Sequence, residues 1–387
     1  MPIAYKSSQA WLHRFAILTA IFTFALLFIG GLVTSHQAGL SVPDWPTSYG
    51  WSMFTFPMKD WTGNIFYEHT HRLFASAVGF LIMLQAFFWQ ERTTHGFTLR
   101  SIWIWPVAVI LYFVFGGGFL GGGISVLFLS TLAIVQTVRA FRNAKSPLPL
   151  RLSWLALSFV TVQGFLGGLT VILYLPPAVS SAHAGLGQAT FCLTLAIAMV
   201  TNKRWDDRII KRTEKSKFGL RTLSLVTVIV IFIQLLLGAV MRHTSSGLAI
   251  PTWPLAPSGG VIPDFTSFGI AINFAHRTWA LVVTLMMFIT ARSIFRWFPR
   301  EKSLIIPMTL GMFLLGLQIM LGAITIWTKK AVTPTTLHVS GGAAILGTMV
   351  YIMIKCRHLL APKADHPSYK TDLSHVSENK LPSLVTE

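Results

Sequence analysis

Ile65-Phe-Tyr-Glu68-His69-Thr-His71-Arg72-Leu73-Phe-Ala75 sets an acid, two histidines and an arginine at the mouth of a long apolar run. Ionisable groups in that position are costly and need a reason. A second version, Asn273-Phe-Ala-His276-Arg277-Thr-Trp-Ala280, opens another apolar run some two hundred residues later. The His-Arg pair recurs, and the acid three residues before it becomes Asn273. That repetition, with its one failure, organises the chain.

The surrounding composition states what kind of solvent the chain folds in. Of 387 residues, 53% are hydrophobic and only 11% charged, and the mean hydropathy is +0.62, which describes an integral membrane protein. The net charge of +18 raises the question of nucleic acid. The basic residues, however, stand in short clusters between apolar runs, as membrane topology demands, and nucleic-acid binding is not expected. Cys192 and Cys356 form no CxxC or zinc spacing, so no disulfide framework is indicated. The first apolar run, 15–33, is too long for a signal-peptide core and lacks a small-residue cleavage site; it reads as a retained span.

Apolar runs occur near 15–34, 69–90, 101–138, 152–175, 180–201, 219–242, 272–294, 304–327 and 334–355. All but one fit a single helical crossing. With residues 1–14 cytoplasmic, only Lys59, Arg72, Arg242, Arg277, Lys329 and Lys330 of the 31 Lys and Arg fall outside, and the positive-inside rule places both termini in the cytoplasm. The run 101–138 is too long for one crossing, is basic on both flanks, and contains Gly116-Gly-Gly-Phe-Leu-Gly-Gly-Gly123. A hairpin of two spans turning at these glycines is expected, giving ten spans; the alternative is one long tilted helix.

Internal repeats divide the remainder. Gly39-Leu-Ser-Val-Pro43-Asp-Trp45-Pro46 matches Gly247-Leu-Ala-Ile-Pro251-Thr-Trp253-Pro254 at an offset of 208. Gln163-Gly-Phe-Leu-Gly167-Gly-Leu-Thr170 matches Gln318-Ile-Met-Leu-Gly322-Ala-Ile-Thr325 at 155, an offset that also carries His183 onto His338. The expected fold is an all-α polytopic membrane protein: two pseudo-symmetric four-helix bundles in a parallel repeat, plus the inserted hairpin. The expected divisions are a cytoplasmic N-terminus 1–14, a first bundle 15–201, a basic linker 202–218, a second bundle 219–355 and a disordered cytoplasmic tail 356–387.

His71, His183, His276 and His338 each fall near the start of an outside-to-inside helix. A single histidine at a helix mouth is ordinarily an interfacial polar residue; four at repeat-equivalent positions suggest two pairs, His71 facing His183 and His276 facing His338. Such a bis-imidazole cage suits haem iron, with Gly185, Gly187, Gly341 and Gly342 leaving room for the macrocycle. Zinc fits less well because neither pair has a third or fourth ligand. His69, His36 and His243 are expected to be interfacial.

Glu68 shares a face with His71, so it is either a macrodipole-favoured acid of the first turn or a proton acceptor in one bundle only. Arg72, Arg277 and Arg242 are propionate candidates, with headgroup contact as the alternative, and Lys329 and Lys330 are as readily headgroup contacts. The two Pro-Trp loops read as outer lids with Trp45, Trp51, Trp61 and Trp253 at headgroup level.

These motifs together resemble the haem A synthase family, and the resemblance covers most of residues 15–355. It implies two pseudo-symmetric four-helix bundles, His276 and His338 ligating a resident haem b, His71 and His183 flanking the substrate haem O, and Glu68 as the essential acid. The implied enzyme is an oxidoreductase acting on a CH or CH2 group, converting the C8 methyl of haem O to a formyl group to give haem A for cytochrome oxidase. Implied partners are haem O synthase, an unidentified electron acceptor and the lipid bilayer, with a homo-oligomer as a further option. The implied location is a bacterial plasma membrane, haem sites toward the outer face. Residues 35–67 lack the cysteine pair of some bacterial members, and 101–138 lies outside the eight-helix pattern. Rival readings are a non-catalytic di-haem electron carrier, which needs the histidines but not Glu68, and a haem transporter or chaperone.

Overall fold

Within a bilayer every backbone N–H and C=O must be paired inside its own segment, so long apolar runs become helices. The computed structural model describes residues 3–94, 119–202, 205 and 219–360. Its helices are α1 (Ile3–Ser35), α2 (Asn64–Thr94), α3 (Phe119–Arg142), α4 (Leu148–Ile172), α5 (Pro177–Val200), α6 (Leu220–His243), α7 (Phe268–Trp297), α8 (Lys302–Trp327) and α9 (Val332–Leu359). Each is long and apolar enough to span, and the chain is an integral membrane protein. Starts are marked locally. Prolines open α4 and α5, where a missing N–H costs nothing, and the Ser267 hydroxyl accepts from Ile270 N at the start of α7.

The packing has two closed circuits. α1, α2, α4 and α5 each touch the next and α5 returns to α1; α6, α7, α8 and α9 do the same. The circuits join through α1 against α9 and through α5 against α6 and α9. Small residues allow the join: Gly31 meets Thr336, Gly185 meets Leu236, and Gly347 meets Phe191. Apolar side chains fill each circuit on the side of the histidines away from the Pro-Trp loops, with Ile82, Trp154, Leu157 and Ile197 in the first and Met287, Met308, Leu346 and Met349 in the second.

α3 lies against the outside of the first circuit, on α4. Ala133 and Ala140 join the first core, and the Thr137 and Ser158 hydroxyls bond at 2.9 Å. The start of α3 stands by the first outer loop, where Gly122 abuts the Pro46 ring. Gly121, Gly122 and Gly123 are therefore helical, not part of a turn as expected. Gly122 permits close approach of another chain segment, the second use of a residue without Cβ. The first leg of the expected hairpin, the linker from 206 to 218 and the tail beyond 360 lie outside the described residues. Cys356–Leu359, expected in the tail, continue α9.

The first outer loop carries a two-stranded antiparallel hairpin, β1 (Thr47–Ser48) with β2 (Trp51–Ser52). Tyr49 and Gly50 turn it with φ of 53° and 79°, the doubly positive pair of a tight hairpin. The second outer loop has no strand among the described residues.

Candidate functional site

His71, His183, His276 and His338 stand seven to nine residues into α2, α5, α7 and α9, deeper than the first turn expected from sequence. Each ring is seated on a glycine of a neighbouring helix. A Cβ on Gly30 of α1 would reach 3.2 Å from His71 Cε1, and one on Gly167 of α4 3.0 Å from His183 Cε1. The second circuit repeats this with Gly238 of α6 at 3.0 Å from His276 and Gly322 of α8 at 3.1 Å from His338. The glycines singled out from sequence do other work: Gly187 and Gly341 seat the Gln163 and Gln318 side chains, and Gly185 and Gly342 admit Leu236 and Leu235 of α6.

Glutamines then hold the rings. Gln163 donates from Nε2 to the His183 carbonyl at 2.8 Å, while its own carbonyl lies 3.2 Å from His183 Nδ1. Gln318 repeats both contacts with His338 at 2.7 and 3.1 Å. A carbonyl oxygen only accepts, so Nδ1 carries the proton in both rings and Nε2 keeps its lone pair for a metal. Gln234 of α6 donates to the His276 carbonyl at 3.0 Å, and its amide nitrogen stands 3.3 and 3.4 Å from the two ring nitrogens.

The His276 and His338 ring centroids are 6.4 Å apart, inclined at 72°. Two imidazoles on opposite sides of one metal, each nitrogen about 2 Å away, hold their centroids roughly 6.3 Å apart. Among the described residues no cluster of three or more His, Cys, Asp or Glu is assembled. A bare ion would lack ligands here, whereas a haem brings four nitrogens and needs only the two axial positions. The residues fit the group.

Above the histidines the two loops are clamped in parallel ways. Arg72 donates from Nη1 to the carbonyls of Asp44 and Thr47 and from Nη2 to Val42 O and Glu68 Oε1, the last at 2.7 Å. Arg277 donates to Thr252 O and Ile250 O at 2.8 and 2.7 Å. Glu68, 3% exposed, also accepts Val42 N at 2.7 Å; Asn273, 2% exposed, donates to the carbonyls of Ser246 and Gly247. All four terminal N–H groups of Arg72 are thus directed at protein acceptors, which leaves it a loop clamp, while Arg277 keeps two free for another anion. Arg242 points between the circuits, donating to Gly31 O and Ser35 Oγ at 2.9 Å. Lys329 and Lys330 lie exposed in the tight turn before α9.

Several side chains expected at the interface face inward. His69 is 0% exposed, with Nδ1 3.1 Å from Ser48 Oγ and its ring between Phe56 and Trp61. Trp45 packs onto Gly168 of α4. Trp51 and Trp253 are exposed. His36 stacks on Tyr67 at 3.8 Å, and His243 is half-buried.

A family model described as cytochrome oxidase assembly protein, COX15-CtaA, matches residues 119–350, more than half of the chain. The chain belongs to this family. The family match takes in His183, His276 and His338 and begins at the start of α3. Proteins named heme A synthase are among its relatives. That of Geobacillus kaustophilus is 21% identical over 354 residues, covering 89% of this chain and 93% of its own. That of Listeria welshimeri is 22% identical over 245 residues, 62% of this chain and 76% of its own. That of Bacillus pumilus is 23% identical over 240 residues, covering 60% and 75%.

Sequence reasoning missed Gln234, Gly30 and Gly238. Gly30 and Gly238 share the 208 offset of the Pro-Trp loops, a usable signal. Gln234 has no such signal, because its counterpart is Leu26.

Proposed function

We propose that this chain is a haem A synthase, oxidising the C8 methyl of haem O to a formyl group. The observation that carries the reading is the pair of facing histidines at haem-ligand separation, together with the family. His276 and His338 would hold a resident haem b, and His71 and His183 would flank the substrate haem O. The bound haems supply iron-centred redox chemistry. The chain contributes two imidazole pairs, with His183 and His338 oriented by glutamine carbonyls, a loop cover over each pair, and one buried acid.

The methyl group gives its electrons to the acceptor and gains its oxygen from water or dioxygen, and Glu68 is assigned the proton that it releases. Its contacts with Val42 and Arg72 invite the competing view that it merely clamps a loop. Asn273 argues against that view, since an uncharged side chain holds the equivalent loop in the second circuit. A buried carboxylate and guanidinium cost desolvation that loop-holding alone does not require. Arg277 is the arginine with donors left for a propionate. The haem sites lie toward the outer face with both termini cytoplasmic, and haem O synthase together with an unidentified electron acceptor completes the set of partners.

The deciding test is Glu68→Gln supplied with haem O. Retained haem binding without haem A, measured by pigment extraction and chromatography, is the expected outcome. Normal haem A formation would remove Glu68 from the mechanism and favour a carrier of electrons or haem.

A further inference from the structure

Where the two circuits meet, one cation lies without an anion. Arg242, in the last turn of α6, donates twice from Nη2, to Gly31 O and to Ser35 Oγ of α1, each at 2.9 Å. Its Nε–H and both Nη1–H groups have no acceptor among the described residues. The one ion pair among those residues is that of Arg72 with Glu68, so no carboxylate balances Arg242. Ser35 also has a donor to spare. Its oxygen accepts from Arg242 and, at 2.9 Å, from the Thr336 hydroxyl of α9, which uses both lone pairs and leaves the Ser35 O–H without an acceptor. Positive charge and idle donors with no acceptor are the chemistry of an anion site.

Position names the anion. Arg242 stands four residues beyond Gly238, the seat of the His276 ring, and so on the same face of α6. A long helical side chain leans back over the preceding turn, which carries the guanidinium toward that ring. The offset of 208 pairs Arg242 with Thr34, whose hydroxyl merely turns back to Gly30 O at 3.0 Å, so the first circuit has no cation of its own at this level. We infer that Arg242 and Ser35, one from each circuit, bind a propionate carboxylate of the haem between His276 and His338. Arg277 has donors for one propionate, and Arg242 with Ser35 supplies them for the other.

The test is a cycle between residue and ligand on full-length protein, with His71→Ala as parent so that only the second site is read. Protohaem and protohaem dimethyl ester, whose propionates are capped and uncharged, are loaded in turn, and loss to excess apomyoglobin is followed in the Soret band. The ester should leave the parent about 10- to 100-fold faster than the free acid. Arg242→Met should lower that ratio about tenfold, and Ser35→Ala, which removes one donor and keeps the guanidinium, about threefold. A ratio that Arg242→Met leaves within about twofold of the parent overturns the inference. A purely structural tie between the circuits gives that result by speeding the loss of both pigments alike, and a guanidinium bound to a lipid phosphate gives it by changing neither. Should Arg242→Met fail to fold, Ser35→Ala decides by the same ratio, and an unmoved ratio there overturns the inference. The inference rests on the reading that His276 and His338 hold a haem. A parent that takes up neither pigment removes that reading and the inference with it, whereas uptake with an unmoved ratio removes the inference alone.

Discussion

The two circuits share a plan but distribute their rigidity differently. In the first, the cover is fixed: Arg72 and Glu68 tie it by charge, His69 by its Ser48 contact, and Trp45 lies on the bare backbone of Gly168. In the second, the cover hangs on neutral Asn273 and on Arg277, while the Gln318 carbonyl holds the His338 ring as the Gln163 carbonyl holds that of His183 in the first. The equivalent of Gly168 is Ala323, and Trp253 stands 37% exposed with its ring edge-on to Trp327. The first cover is thus tied by charge and at more points than the second, while each circuit holds one ring by a glutamine carbonyl.

The largest effect that sharpens this contrast is loss of a ligand. His276→Ala should erase the resident low-spin haem spectrum of the purified protein, whereas His71→Ala should leave it in place. Equal spectra in the two variants would undo the division between the bundles. Next comes the charge clamp. Arg72→Met leaves Glu68 buried without its partner, which costs about 3–5 kcal/mol. Arg277→Met loses only hydrogen bonds from a charged donor to carbonyls, about 2 kcal/mol. Thermal unfolding midpoints in one detergent should rank wild type above Arg277→Met above Arg72→Met, and adding Glu68→Gln should recover part of the larger loss. Smaller again is the seat of the tryptophan. A Cβ on Gly168 would stand about 2.5 Å from the Trp45 ring and must push the lid outward. Gly168→Ala should speed amide exchange over 42–52, and Ala323→Gly should change 250–260 little.

The spans and the four histidines were legible because each has a signal that survives in one dimension. Apolar length marks a crossing, and four imidazoles at two fixed offsets are hard to obtain without a shared task. The division into crossings came from the length of the apolar runs, and the described helices follow those runs. Beyond the facing of His276 and His338, what failed was set by approach between segments. Arg72 at a helix mouth looks like a partner for an anion, because sequence displays its charge and hides the loop carbonyls that consume its donors. His69 and Trp61 looked interfacial because nothing local reveals that the first outer loop folds over them. Gly185 and Gly187 were chosen for being near His183, yet the glycines that admit the rings, Gly30 and Gly167, sit on other helices. Gln234 lay in an apolar run opposite Leu26, so a search for what the repeats share was bound to pass over it.

The smallest effect separates the two covers by acid. Asp44 lies in the first outer loop, where its carboxylate accepts Tyr49 N at 2.7 Å and Gly50 N at 2.9 Å across the hairpin turn. Partial burial pushes its pKa up, but these backbone donors outweigh it and hold the carboxyl below its ordinary 3.8. A carboxyl with a depressed folded pKa stabilises the fold above its unfolded value, and that contribution fades as pH falls through the folded one. The position equivalent to Asp44 is Thr252, whose hydroxyl donates to Leu255 O and does not titrate. Acidification from neutral to about pH 3 should therefore raise amide exchange at Tyr49 and Gly50, relative to intrinsic rates, while Ala256 and Gly259 stay protected. Asp44→Asn should abolish the difference between the loops. Were the second loop to loosen over the same range in that variant, acid would be acting on the covers by some route other than Asp44.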